Sequence, residues 1–253
     1  MAPTRLGWMA VVAGLLLAVV PAQAQQRVDV ALVLAADVSR SITTDEFQLQ
    51  RQGYAAAITN PDVVKGIQAG NRRAIALTFV EWAGGDEQQI VVDWTIIHDA
   101  ASAKQFADTL LAAPRAFYGR TSISAALDFA MSRLKEVTVK ADRQVIDVSG
   151  DGTNNAGRSL AEARAAALAT GVTINGLAII NNGGTGEVFG GFSGHTQPPG
   201  GLPNWYRDNV TGGPGSFLRT IEDFESFGDA MTKKLLNEIA SLSRPRTVAF
   251  KDR

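Results

Sequence analysis

Apolar residues along this chain follow two rhythms: short unbroken runs, and stretches in which they recur every three to four positions. Residues 28–36 (VDVALVLAA) form a near-continuous run rich in Val and Leu, the pattern of a parallel strand buried on both faces. Residues 73–80 and 89–97 read as two further strands, and Gly84-Gly85-Asp86 between them predicts a hairpin. Residues 144–148 and 172–180 complete the central strands, with an edge strand at 217–221. The helical rhythm fills the gaps. Thr43-Thr44-Asp45-Glu46 is a capping box opening a helix through residue 58. Ser102-Ala103-Lys104-Gln105 is expected to cap a short helix that ends before Pro114. Residues 121–134 place Ile123, Leu127, Ala130, Met131 and Leu134 on one face. Ser159-Leu160-Ala161-Glu162 opens an Ala-rich helix ending near Gly171, and 224–242 predicts a final amphipathic helix. Between them, residues 181–215 are Gly- and Pro-rich, long for a structureless loop and so expected to be functional or mobile. Strands alternating with helices predict a doubly wound, mostly parallel sheet with helices on both faces.

The first residues change the picture of where such a domain works. Arg5, an apolar run over 8–20, Pro21 and Ala22-Gln23-Ala24 have the layout of a secretory signal peptide cleaved after Ala24. The run is short for a membrane span, which needs about 20 apolar residues, so no stable anchor is expected after cleavage. The chain has no cysteine, which excludes a lipid-attachment Cys, a disulfide framework and a thiolate zinc site. One domain over 25–253, periplasmic or secreted from a bacterial envelope, is the expectation. A formal net charge of −1 lacks the basic excess of a nucleic-acid binder.

Three short motifs carry the chemistry: Asp37-Val38-Ser39-Arg40-Ser41, Gly119-Arg120-Thr121 and Ser149-Gly150-Asp151-Gly152. Each follows a strand or opens a helix, so all three are expected at the carboxyl edge of the sheet, where open α/β folds bind ligands. Alternate residues of an extended loop point the same way, which groups Asp37, Ser39 and Ser41. With Thr121 and Asp151 they supply two carboxylates and three hydroxyls, an oxygen set suited to magnesium or manganese. Neutral hydroxyl ligands leave much of a cation's charge uncompensated, which favours an acidic side chain from a partner.

The ordered motifs resemble the metal-ion-dependent adhesion site of von Willebrand factor A domains. The resemblance implies that Ser39 and Ser41 ligate one divalent ion per chain directly. Thr121 would engage it in the liganded state, while Asp37 and Asp151 hold it mostly through water. It also implies a Rossmann-type topology and a protein partner that presents Asp or Glu. A further likeness, to secreted bacterial relatives of these domains, lies in Asp37-Val38-Ser39-Arg40-Ser41-Ile42, in Glu46-Phe47-Gln48-Leu49-Gln50-Arg51 and in residues 206–215 (YRDNVTGGPG). Two departures stand out. Gly150 replaces the Thr or Ser common before the later Asp, and the 181–215 insertion is unlike a plain A domain.

Within the insertion, Trp205, Tyr206, Arg207 and Asp208 are residue types that anchor interfaces; they serve equally to pin the loop to its own domain. The leading expectation is a cation-dependent binding module and not an enzyme. A metal-dependent hydrolase is the rival, with Glu81 as the best general base in sequence, and a structural protein whose ion only ties loops together is the third reading. His98 and His195 are single residues, expected on the surface or in loops. Asp147-Val148-Ser149-Gly150-Asp151-Gly152 imitates an EF-hand start, but position twelve is Arg158.

Overall fold

A computed structural model describes residues 25–180, 193–222 and 224–240. The expected export segment 1–24, the first part of the insertion (181–192) and the last residues, 241–253, lie outside them. In chain order the elements are β1 (Arg27–Asp37), α1 (Thr44–Thr59), α2 (Pro61–Ala69), β2 (Ile75–Trp82), β3 (Gln88–Ile97), α3 (Ala100–Ala112) and α4 (Ile123–Glu136). Then follow β4 (Lys140–Gly150), α5 (Leu160–Leu168), β5 (Thr173–Ile179), α6 (Ser193–Thr196), α7 (Leu202–Asn209), β6 (Leu218–Ile221) and α8 (Phe227–Ala240).

The strands make one sheet in the order β3-β2-β1-β4-β5-β6, parallel throughout except for β3, which returns antiparallel to β2. The unbroken apolar run of β1 explains its central place, because it is covered on both sides. Val30, Leu32, Leu34 and Ala36 face a core built with α1, α2, α3 and α8. Ala31, Val33 and Ala35 face a second core built with α4, α5 and α7. The order of strands reverses between β1 and β4, so a crevice opens beyond their carboxyl ends. Asp37 is the last residue of β1, and Asp151 follows the last residue of β4. Among the described residues, no helix is long and apolar enough to cross a membrane.

Local chemistry departs from the sequence expectation in three places. Helix α2 was not anticipated, although its signals are ordinary: the Asn60 side chain accepts from the Asp62 N–H, and Pro61 takes the first helical position. Helix α3 starts earlier than expected, because Asp99 is the cap and accepts from the Ser102 N–H, while the Ser102 hydroxyl accepts from the Asp99 N–H. The insertion is not loop throughout. Its second half forms α7, with Leu202 and Tyr206 packed into the second core.

Candidate metal centre

The three motifs meet as expected, and the backbone shows what holds them. The Val38 N–H donates to the Trp82 carbonyl at 2.9 Å, continuing the ladder past the end of β1. The Ser39 N–H turns back to Asp37 Oδ1 at 2.7 Å. Arg115 braces the same loop, donating from Nη2 to the carbonyls of Val38 and Ser39 at 2.8 and 2.9 Å. Its guanidinium lies over the Tyr118 ring, 4.1 Å from the centroid. The Arg40 N–H donates to the Gly119 carbonyl at 2.9 Å, joining the first motif to the second. Asn155 then joins the second to the third: its Oδ1 accepts from the Thr121 N–H at 3.0 Å, and its N–H donates to the Thr121 carbonyl at 2.8 Å. Ser122, and not Thr121, caps α4, which leaves the Thr121 hydroxyl to the crevice.

The side-chain oxygens form a continuous chain. Asp151 Oδ1 accepts from Ser41 Oγ at 2.7 Å, Ser41 Oγ lies 3.2 Å from Ser39 Oγ, and Thr121 Oγ1 donates to Ser39 Oγ at 3.2 Å. Asp37, Ser39, Thr121 and Asp151 are all buried, and Ser41 is half-buried. Burial, followed by the charge of Asp151, pushes the Asp37 carboxyl well above its ordinary range. Burial above all lifts Asp151 to about 6. Asp37 Oδ2 is buried without a hydrogen-bond partner among the described residues.

This is a fit for a small hard cation. Magnesium sits about 2.1 Å from each oxygen of an octahedron, so neighbouring ligands stand about 3.0 Å apart, and the observed spacings scatter around that value. Two buried carboxylates and an orphaned carboxylate oxygen supply the charge that such an ion would balance. Among the described residues there is no group of three His, Cys, Asp or Glu side chains suited to a metal; the donors here are mainly hydroxyls.

The insertion contributes residues that the sequence reading placed elsewhere. Tyr206 is fully buried, so of the two roles open to it, it takes that of pinning the segment to its own domain. Its hydroxyl lies beneath the crevice: a Cβ added at Gly150 would fall 2.6 Å from Tyr206 Oη and 2.9 Å from Asp37 Oδ2. The glycine that departs from the A-domain pattern is therefore the residue that makes room for Tyr206. Burial raises the Tyr206 phenol well above its ordinary value, with Asp37 and Asp151 adding to the effect. Trp205 is half-buried against the second core, while Arg207 is exposed and donates to Asn204 Oδ1 at 2.5 Å.

His195 is not an isolated loop residue either. Its Nε2 lies 3.0 Å from Thr121 Oγ1 and its Nδ1 lies 3.0 Å from Thr153 Oγ1. Burial, with Arg120 nearby, holds its pKa below the ordinary value, which favours neutral imidazole. No sequence spacing announces this contact, because it depends on how the insertion folds back. Glu81, the base favoured in sequence, is absent from the crevice. It is buried against Arg51, whose Nη2 lies 2.6 Å from Oε1, and it accepts from the Ala116 N–H at 2.9 Å.

The comparisons with known proteins agree with this architecture. The crystal structure of proximal thread matrix protein 1 from the mussel byssus, with a zinc-occupied MIDAS motif, superposes with a TM-score of 0.58 at 16% identity, covering 85% of this chain and 47% of that one. A von Willebrand factor type A protein from Catenulispora acidiphila gives 0.52 at 12% identity, covering 83% and 42%. The conserved hypothetical protein BatB from Bacteroides thetaiotaomicron gives 0.52 at 18% identity, covering 84% and 99%. The chain thus spans less than half the length of the first two. The fold is von Willebrand factor A-like. No curated protein matches the sequence. The profile of a family described as protein of unknown function (DUF1194) matches residues 27–243, and the chain belongs to that family.

Proposed function

We propose that this chain is an exported binding module that engages a protein partner through one divalent cation, magnesium or manganese. The observation that carries the reading is the buried pair Asp37 and Asp151, joined to a chain of hydroxyls, with Arg115 nearby but no ion pair to either carboxylate among the described residues. Ser39, Ser41 and Thr121 would hold the ion through their hydroxyl oxygens, and the two carboxylates would balance its charge, mostly through water. When bound, the cation supplies a Lewis-acidic point for a carboxylate of the partner. The residues around it give the rigidity that such a contact needs: Arg115 fixes the first loop, Asn155 clasps the second to the third, and Tyr206 fills the floor. Trp205 and Arg207 lie on α7, the helix that carries Tyr206, and we assign them contacts around the anchor. Export to the bacterial envelope is supported by the layout of residues 1–24 and by the lack of cysteine.

One observation favours the hydrolase reading, namely an imidazole beside Thr121. Both nitrogens of His195 are engaged by threonine hydroxyls, and Glu81 is held by Arg51 and Ala116, so we place His195 with the binding site. Titration calorimetry with magnesium and manganese tests the proposal. One ion should bind the wild type, and none should bind Asp37→Ala at unchanged far-UV circular dichroism; retained binding in the variant would remove the site. Capture of a partner from envelope extract should then vanish in chelator. Trp205→Ala should weaken capture by roughly 5–30-fold, as loss of an aromatic anchor does, with metal affinity unaltered.

A further inference from the structure

The oxygen chain of the crevice does not end at Thr121. His195 continues it, and three separate features hold the imidazole there. Its Nε2 stands 3.0 Å from Thr121 Oγ1, a little closer than the 3.2 Å between neighbouring hydroxyls. Its Nδ1 meets Thr153 Oγ1 at 3.0 Å, and its carbonyl accepts from the Thr153 N–H at 3.0 Å, so one residue fixes both ring and backbone. The ring also lies close against Gly152, where an added Cβ would fall 2.4 Å from Nε2 and 2.5 Å from Cε1. Only glycine at 152 lets the imidazole approach this near.

We infer that His195 Nε2 is a ligand to the cation in this crevice, a nitrogen donor that sets a preference for borderline transition cations such as zinc over magnesium. The inference rests on the cation reading above and departs from its choice of ion, keeping the site while moving its preference from magnesium toward zinc. An imidazole anchored through its second nitrogen is the arrangement found at metal-bound histidines, where the outer hydrogen bond fixes ring and tautomer. Thr153 holds the ring in this way, and its hydroxyl is able to accept from Nδ1–H, the tautomer that leaves the Nε2 lone pair for the cation. Oxygen donors alone suit magnesium, whereas one imidazole among them raises affinity for zinc far more than for magnesium, which gives up its waters reluctantly. Chain composition makes the assignment testable, because His98 is the only other histidine and there is no cysteine.

The experiment uses the full chain carrying His98→Ala, so that His195 is its single imidazole. Zinc chloride and magnesium chloride are each titrated into this protein, into the same protein with His195→Ala, and into a third with Gly152→Ala. Zinc affinity should fall by at least about tenfold in both variants while magnesium affinity holds. In parallel, ¹⁵N-imidazole spectra should show the Nε2 resonance of His195 shifting when zinc is added. Equal zinc affinity in all three proteins, a parallel loss of zinc and magnesium, or an unmoved Nε2 resonance would each overturn the inference and leave the cation site standing. Failure of both salts to bind the His195-containing protein would overturn the cation reading as well.

Discussion

Replacing Asp151 by asparagine should make the metal-free protein more stable at neutral pH and, at the same time, deaf to cation. In the fold its carboxyl is lifted from 3.8 to about 6. A gap of roughly two pH units corresponds to about 3 kcal/mol carried against the folded state when the group is ionised. Asparagine removes that burden but weakens the bond from Ser41 Oγ, now made to a neutral oxygen, at a cost of about 1 kcal/mol. The net gain is about 2 kcal/mol. Because the folded value lies above the unfolded one, the burden is complete above pH 6, shrinks between 6 and 4, and is gone below 4. Wild type in chelator should therefore gain stability from pH 7 to pH 5, and the variant should gain less. Its residual gain belongs to the other carboxyls that burial raises, Asp37, Asp147 and Glu81. Saturating cation reverses the ranking, since a ligand at a hundredfold its Kd adds about 2.7 kcal/mol to the wild type alone. Urea unfolding followed by tryptophan fluorescence, with chelator and with manganese, measures all of this. A variant less stable than wild type in chelator at pH 7, or one that manganese still stabilises, would refute the reasoning.

Two other outcomes follow from the packing. Arg51→Met should cost about 3–5 kcal/mol in chemical denaturation by leaving the buried Glu81 charge without its partner; a cost below 1 kcal/mol would show that this pair is not balancing the site's flank. Gly150→Ala should cost about 1–3 kcal/mol through overpacking against Tyr206 Oη, and Tyr206→Phe in the same chain should recover part of that loss, so a double-mutant cycle that is additive would argue against the contact.

The sheet and the three-motif site were legible because short-range chemistry decides them. An unbroken Val/Leu run has one place to go, the middle of the sheet, and it delivers Asp37 to the switch point whatever the loops do. The capping box at Thr43 likewise acts within four residues, and it formed as expected. Helix α2 is announced only by Asn60 and Pro61, a cap and a first-turn proline with no long apolar period behind them. The start of α3 is ambiguous in sequence because Asp99 and Ser102 are both good caps, and the reciprocal bond between them decides in favour of Asp99. His195 and Tyr206 belong to another kind of residue. Each reaches the crevice across a glycine that leaves space for it, at 152 and 150 respectively. A glycine in sequence says that something comes close without saying what. Trp205-Tyr206-Arg207 reads as a surface triplet, and only the helical turn of α7 reveals that its middle member faces inward.

The crevice is drawn together from segments far apart along the chain: Ser41 meets Asp151 across 110 positions, Ser39 meets Thr121 across 82, and Thr121 meets His195 across 74. Contacts of such separation close late, after the loops between them have been ordered. No half-folded chain presents the full set of donors, so a cation cannot template the early collapse of this protein. A cation that binds only the completed set would act on the way out, slowing unfolding while the speed of folding stays unchanged.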